Sequence, residues 1–296
     1  MTSMTKIVFF GTEDFSALTL QRLIDDGYEI EAVVTKPDFK RGRGKKLQQP
    51  IVKKIAQANN ILIIQPQKSS ELAEALAKLD KKIGVLVSYG KIIPENIINL
   101  FKHGIVNVHP SLLPKYRGPA PIETAIENGD KQTGVSIMAL VKDMDAGGVY
   151  VAETVMLNGS EDARFLYDKL GRIGANLISQ SLPDILNGSL SPISQDNAEA
   201  TFTKLAKKAD GLIDPAVKSA EEIERQIRAQ IIYPKSFIDL PTGRVIIKSA
   251  HVADNKENVL SIKTVDGNYL AIDSLLNKNG NLVTANDYLN SLKSVS

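Results

Sequence analysis

The chain contains no cysteine in 296 residues. Disulfides, thiolate nucleophiles and sulfur-held metals are therefore excluded. Histidine is almost as scarce, with only His103, His109 and His251 present. Their spacing is not that of metal ligands and no His-Glu-x-x-His run occurs, so no metal requirement is expected. No stretch approaches the ~18 consecutive apolar residues of a membrane span. The first apolar run, 6–10, is too short for a signal peptide and reads as a strand. A cytoplasmic protein with no membrane attachment is the expectation. Net charge is only +2, so any nucleic-acid role must rest on local clustering. Gly11 follows the first strand without a second or third glycine, which removes the dinucleotide fingerprint and argues against a nicotinamide dehydrogenase.

What is present reads as an ordinary globular chain, 43% hydrophobic and 24% charged. Apolar runs at 6–10, 29–34, 61–64, 82–88, 105–109, 133–141 and 149–157 predict strands. Helical spacing predicts helices over 14–26, 49–59, 70–80, 94–101, 119–128 and 161–187, with Pro183 a candidate break. This alternation predicts an α/β fold with a Rossmann-like, mostly parallel sheet. Residues 188–206, richer in Ser, Pro, Asn and Gln, read as a linker between a catalytic domain (1–187) and a C-terminal domain (207–296). In the latter, one helix over 220–232 precedes strands at 244–252, 258–265 and 269–276 separated by Asn/Asp/Gly turns, the pattern of a small β-barrel.

The stretch 105–118, Ile-Val-Asn-Val-His-Pro-Ser-Leu-Leu-Pro-Lys-Tyr-Arg-Gly, organises the first domain. Side chains alternate across a strand, so Asn107 and His109 share one face and Val106 and Val108 the other. Pro110 removes a ladder donor and ends the strand. An amide donor and an imidazole thus stand together at a strand exit, where open α/β sheets bind ligands. His103 and His251 read as surface residues.

A second feature is the segment 36–54, where eight basic residues (Lys36, Lys40, Arg41, Arg43, Lys45, Lys46, Lys53, Lys54) face one acid, Asp38. Its net +7 suits either a solvated loop or one that orders on phosphate.

Asn-Val-His-Pro-Ser-Leu-Leu-Pro, followed by Tyr-Arg-Gly-Pro-Ala-Pro-Ile, closely resembles the signature of the folate-dependent formyltransferases. Pro110 stands where many relatives carry Gly. Gly-Thr-Glu-Asp-Phe (11–15) is similar to the family's opening string, with Glu13 for the usual proline. The resemblance implies an OB-like C-terminal domain that binds tRNA. It makes Asp145, with its Ala146-Gly147 neighbours, the third catalytic residue beside Asn107 and His109; Asp143 is the rival acid. It also implies that Ser88, Tyr89, Gly90 and Ile92, with Ser111, Leu112, Leu113 and Pro114, hold the folate. Arg41, Arg43, Lys45 and Lys46 resemble the loop by which some members grip initiator tRNA.

The implied reaction moves the formyl group of 10-formyltetrahydrofolate, a consumed co-substrate, to the amino group of methionyl-initiator tRNA. No permanently bound cofactor is implied, and a monomer is expected. The alternative within the family is a small amine, such as a sugar nucleotide or glycinamide ribonucleotide, or hydrolysis of formyl-folate. One departure lies at 227–234, Ile-Arg-Ala-Gln-Ile-Ile-Tyr-Pro, where relatives show an Ile-Arg-Ala-Phe-x-Pro-x-Pro-like string.

Overall fold

In the computed structural model, which describes residues 6–41, 46–80 and 82–293, the first apolar run forms β1 (Lys6–Gly11). After it come α1 (Asp14–Asp25), β2 (Glu29–Val34), a hairpin of β3 (Phe39–Arg41) and β4 (Lys46–Gln48), and α2 (Ile51–Ala58). β5 (Leu62–Ile64), α3 (Ser69–Leu76), β6 (Ile83–Val87), α4 (Glu95–Ile98) and β7 (Ile105–His109) continue the alternation. Then follow α5 (Pro121–Glu127), β8 (Gln132–Ala139), β9 (Val149–Met156) and α6 (Ala163–Asn187). The last third holds α7 (Ala220–Ala229), β10 (Phe237–Leu240), β11 (Gly243–Ala253), β12 (Ser261–Lys263), β13 (Tyr269–Leu276), β14 (Leu282–Thr284) and α8 (Ala285–Lys293).

The chain packs as two compact units that do not follow chain order. One comprises Met1–Gly118, Thr133–Val155 and Tyr167–Phe202; the other comprises Pro119–Gln132, Met156–Leu166 and Thr203–Ser296.

The first unit is built on a seven-stranded sheet, ordered β5-β2-β1-β6-β7-β8-β9. β1 pairs in parallel with β2 and β6, β6 in parallel with β7, and β8 turns antiparallel against β7. Helices cover such strands, so their residues are apolar on both faces; Ile7, Val8, Phe9 and Phe10 of β1 are all fully buried. Behind β7, Gly174 of α6 lets helix and strand approach closely, since a Cβ there would lie 2.6 Å from Cγ1 of Val108.

Pro183 does not break α6. A proline inside a helix leaves the carbonyl four residues earlier without its usual donor. That carbonyl, on Ser179, accepts instead from the Tyr28 hydroxyl at 2.7 Å.

The second unit holds a five-stranded sheet, β10-β11-β13-β12 with β14 added to β13, its ladders antiparallel. Ile223 and Ile227 of α7, Val245 and Ile247 of β11 and Leu270, Ile272 and Leu275 of β13 share its core. The fold is thus a mostly parallel α/β sheet plus a curled antiparallel, barrel-like sheet. α7 starts with a reciprocal cap, in which Ser219 Oγ accepts from Glu222 N and Glu222 Oε2 from Ser219 N. It ends at Ala229, short of the expected 232, and the 258–265 strand contracts to Ser261–Lys263. Gln230, at the fourth position of the 227–234 string, is buried. Its Nε2 donates to Glu127 Oε1 (3.1 Å) and Asp210 O (3.2 Å), so the departure is absorbed inside the unit.

Candidate active site

β7 lies between β6 and β8, with Asn107 opposite Leu86 and Met138, and His109 opposite Ser136. All five of its residues are buried, including Asn107 and His109 at 5% and 4% exposure. Buried polar groups need partners. Beyond β7, Ser111 N closes the Pro110 turn by donating to His109 O at 2.9 Å. His109 Nε2 lies 2.9 Å from Tyr116 O. A carbonyl oxygen only accepts, so Nε2 carries a hydrogen and donates it there.

The other ring nitrogen, Nδ1, faces Asp145 Oδ2 at 3.7 Å, too far for a hydrogen bond. Asp145 Oδ2 instead accepts from the Gly118 backbone N–H at 2.8 Å, while Oδ1 lies 3.4 Å from Asn107 Nδ2. The structure therefore brings Asn107, His109 and Asp145 together. Asp143, two residues earlier, is exposed to solvent. Asp145 has φ of 47°, a left-handed conformation that Asp tolerates better than most residues. Two residues on, Gly147 passes so near β8 that a Cβ would lie 1.8 Å from Ala139 O. Only glycine fits that approach.

The folate-assigned residues sit on two loops of the same unit. Ser88 (φ 45°) and Gly90 (φ 70°) both adopt left-handed backbone after β6. The Tyr89 side chain packs edge-on against Phe10 at 5.8 Å, and burial pushes its hydroxyl pKa up to about 12. It is a core residue whose carbonyl accepts from Thr12 Oγ1 (3.0 Å), so it can offer a ligand backbone but no ring face. Ile92 projects into solvent, 84% exposed. Ser111 is fully buried, its hydroxyl donating to Lys115 O at 2.6 Å. Leu112, Leu113 and Pro114 are half-buried, with Leu113 N donating to Ser136 Oγ at 3.2 Å.

A cleft of about 600 Å³ opens past β1 and β2, lined by Thr12, Glu13, Lys36, Pro37, Asp38, Phe39 and Lys91. The sheet's switch point lies next to it, between β1 and β6, because the chain turns from β1 to one side and later returns to the other. Of the tRNA-assigned residues, Arg43 and Lys45 lie outside the described residues. Arg41 and Lys46 close the β3–β4 ladder as a backbone pair. Lys53, also counted in the basic segment, is not free for a ligand, since its ammonium pairs with Asp38 at 2.7 and 2.9 Å. Among the described residues, no cluster of His, Cys, Asp or Glu is arranged to hold a metal ion. No helix among them is long and apolar enough to cross a membrane.

Residues outside the sequence assignment also reach the site. Gln195 and Thr201 come from the segment read as a linker, and Arg117 and Gly118 from the Tyr-Arg-Gly string. Tyr116 N donates to Thr201 Oγ1 at 2.8 Å and Arg117 N to Thr201 O at 2.9 Å. Nothing in the composition of 188–206 marks this docking; the only local signal was a concentration of polar side chains.

The chain belongs to the formyl transferase family. The family's model matches residues 5–182 and that of its C-terminal domain matches 206–293. Within it, the chain is similar to the methionyl-tRNA formyltransferase of Sulfurihydrogenibium sp. (strain YO3AOP1), 40% identical over 88% of this chain and 89% of that one. It is also similar to that of Levilactobacillus brevis, 36% identical over 97% and 96%. Among solved structures, an N-formyltransferase from Helicobacter canadensis, complexed with folinic acid and dTDP-3-aminofucose, shares the fold. Its TM-score is 0.70 at 20% identity, covering 91% of this chain and 99% of that chain.

Proposed function

We propose that this chain transfers the formyl group of 10-formyltetrahydrofolate to the amino group of methionyl-initiator tRNA, using Asn107, His109 and Asp145. The supporting observation is the Asp145 carboxylate, held by the Gly118 N–H beside His109 and Asn107. Resemblance to methionyl-tRNA formyltransferases along nearly the whole chain supplies the substrate.

The amine attacks the formyl carbon, the carbonyl oxygen gains negative charge, the carbon–N10 bond breaks, N10 gains a proton and the amine loses one. Asn107 Nδ2 has two hydrogens; one faces Asp145, and the second is available to the developing oxyanion. Tyr116 O holds His109 through Nε2, leaving Nδ1 as the nitrogen that exchanges a proton. The Asp145 carboxylate faces that nitrogen at 3.7 Å. Asp145 takes the amine proton directly or through water. The folate is held by backbone groups of 88–92 and 111–114.

The basic loop, with Arg41, Arg43, Lys45 and Lys46, contacts tRNA phosphates, as does the C-terminal barrel-like domain. The test is formylation by purified protein with 10-formyltetrahydrofolate, comparing Met-tRNA with dTDP-3-aminofucose and glycinamide ribonucleotide. Preference for a small amine overturns the reading. Arg43→Ala, or Lys45→Ala with Lys46→Ala, raises KM for Met-tRNA and flattens its salt dependence by about one unit of slope per lost phosphate contact. Folate KM stays unchanged.

A further inference from the structure

We propose that Gln195 is a positioning residue that sets the backbone beneath Asp145; the inference rests on the catalytic reading of Asp145. Gln195 lies in the stretch between the two family matches, 5–182 and 206–293. Its Nε2 donates to Asp145 O (2.8 Å) and to Gly147 O (2.6 Å). Its Oε1 accepts from Arg117 Nε (3.0 Å) and Nη2 (2.8 Å). A carboxamide has two donor hydrogens and two acceptor lone pairs, and all four are used.

The arrangement has one orientation. Guanidinium only donates and carbonyls only accept, so a flipped amide would oppose donor to donor and acceptor to acceptor. Arg117, 4% exposed, is itself fixed by a further bond from Nη2 to Asn197 Oδ1 at 2.8 Å. The segment is tied down at both ends: Ile193 and Val149 exchange backbone bonds of 2.8 and 2.9 Å, and Arg117 N donates to Thr201 O. Gln195 therefore clamps the two carbonyls that flank Ala146, in the loop where Asp145 is left-handed and Gly147 is sterically confined. Removing the two donors frees this turn to relax, and the Asp145 carboxylate loses its place beside His109.

The experiment uses Gln195→Glu, which keeps shape and the Arg117 partner but loses both donors, and Gln195→Leu, which loses everything. Each is measured for thermal stability, kcat, KM for both substrates and the pH profile of kcat. Displacement of a catalytic group by about 1 Å costs up to about 100-fold, so kcat falls about 10- to 100-fold with both KM values little changed. The pH profile shifts, which a merely structural role would not produce. Asp145→Asn and the double variant Gln195→Glu/Asp145→Asn complete the cycle. Because Gln195 acts through Asp145, the double variant is little worse than Asp145→Asn alone. If Asp145→Asn keeps full turnover, the catalytic reading and this inference both fall. If Asp145→Asn is impaired but the Gln195 variants keep normal kcat and pH profile, or the losses multiply, only the positioning role is overturned.

Discussion

His109 and His251 both lie beside carboxylates, yet their surroundings are built in opposite ways. His251, on β11, is 47% exposed, with Asp273 Oδ1 at 2.8 Å from Nδ1 and Glu257 Oε1 at 3.3 Å from Nε2. His109 is buried, has one carboxylate at 3.7 Å and bonds a carbonyl through its other nitrogen. Counting charged neighbours would choose His251 as the active residue. Water, however, shares the exposed pair's work and leaves it little net energy. In the buried cluster the nearby carboxylate is held by a backbone N–H and an amide, so the imidazole is oriented without being satisfied at Nδ1. On the proposed catalytic reading, that open position at Nδ1 is the one the reaction uses.

Substitution at both histidines breaks this comparison most sharply. Asn107→Ala and His109→Ala should each lower turnover about 10²- to 10³-fold, as loss of one oxyanion donor does, whereas His251→Gln should leave it unchanged. Asp145→Asn should cost far more than Asp143→Asn, whose side chain stands in solvent. Comparable kcat values for the His109 and His251 variants would dissolve the distinction between them.

A smaller effect sharpens it from beneath. Gly147→Ala touches none of the three side chains, but its Cβ would meet Ala139 O and C at 1.8 and 2.9 Å. Those atoms are backbone and cannot rotate away. Forced packing of this sort costs about 1–3 kcal/mol, read as lower thermal stability, and the displaced Asp145 should lower kcat with it. An unchanged Tm and kcat would mean that the loop accommodates a methyl group and that its confinement is unimportant.

Much of the fold was legible because burial writes itself into composition. β1 and β7 are β-branched or aromatic runs closed by Gly11 and Pro110, and both are core strands. The hairpin β3–β4 was hidden inside a basic segment, where charge masks a two-residue alternation. β10, β14 and α8 escaped notice because three or four residues, or a helix carrying Asn and Asp early, are weaker than the turn signals around them. Within the site, strand alternation put Asn107 and His109 on one face, but Asp145 is 38 residues from Asn107 and came only through family resemblance. Gln195 was invisible for a related reason. Its role depends on two carbonyls about fifty residues away, and a polar stretch looks the same whether it is solvated or docked. Pro183 shows the converse: the break it suggests is cancelled by one hydroxyl, on Tyr28, from a different part of the sheet domain.

The smallest expected effect concerns His251 and stability. Hydrogen bonds from the ring to Glu257 and Asp273 raise its pKa above the ordinary histidine value of 6.5. A raised folded-state pKa means the folded chain holds the proton more tightly than the unfolded one. The resulting stabilisation is fully present below about pH 6.5, the unfolded value, and is lost as pH rises through the folded value. Because the cluster is exposed, its size should not exceed about 1 kcal/mol and should shrink with added salt. Denaturant titrations between pH 5.5 and 8.5 should show this decline in the wild type and a flatter profile in His251→Gln. The same slope in both proteins would show that the two carboxylates leave this histidine thermodynamically idle.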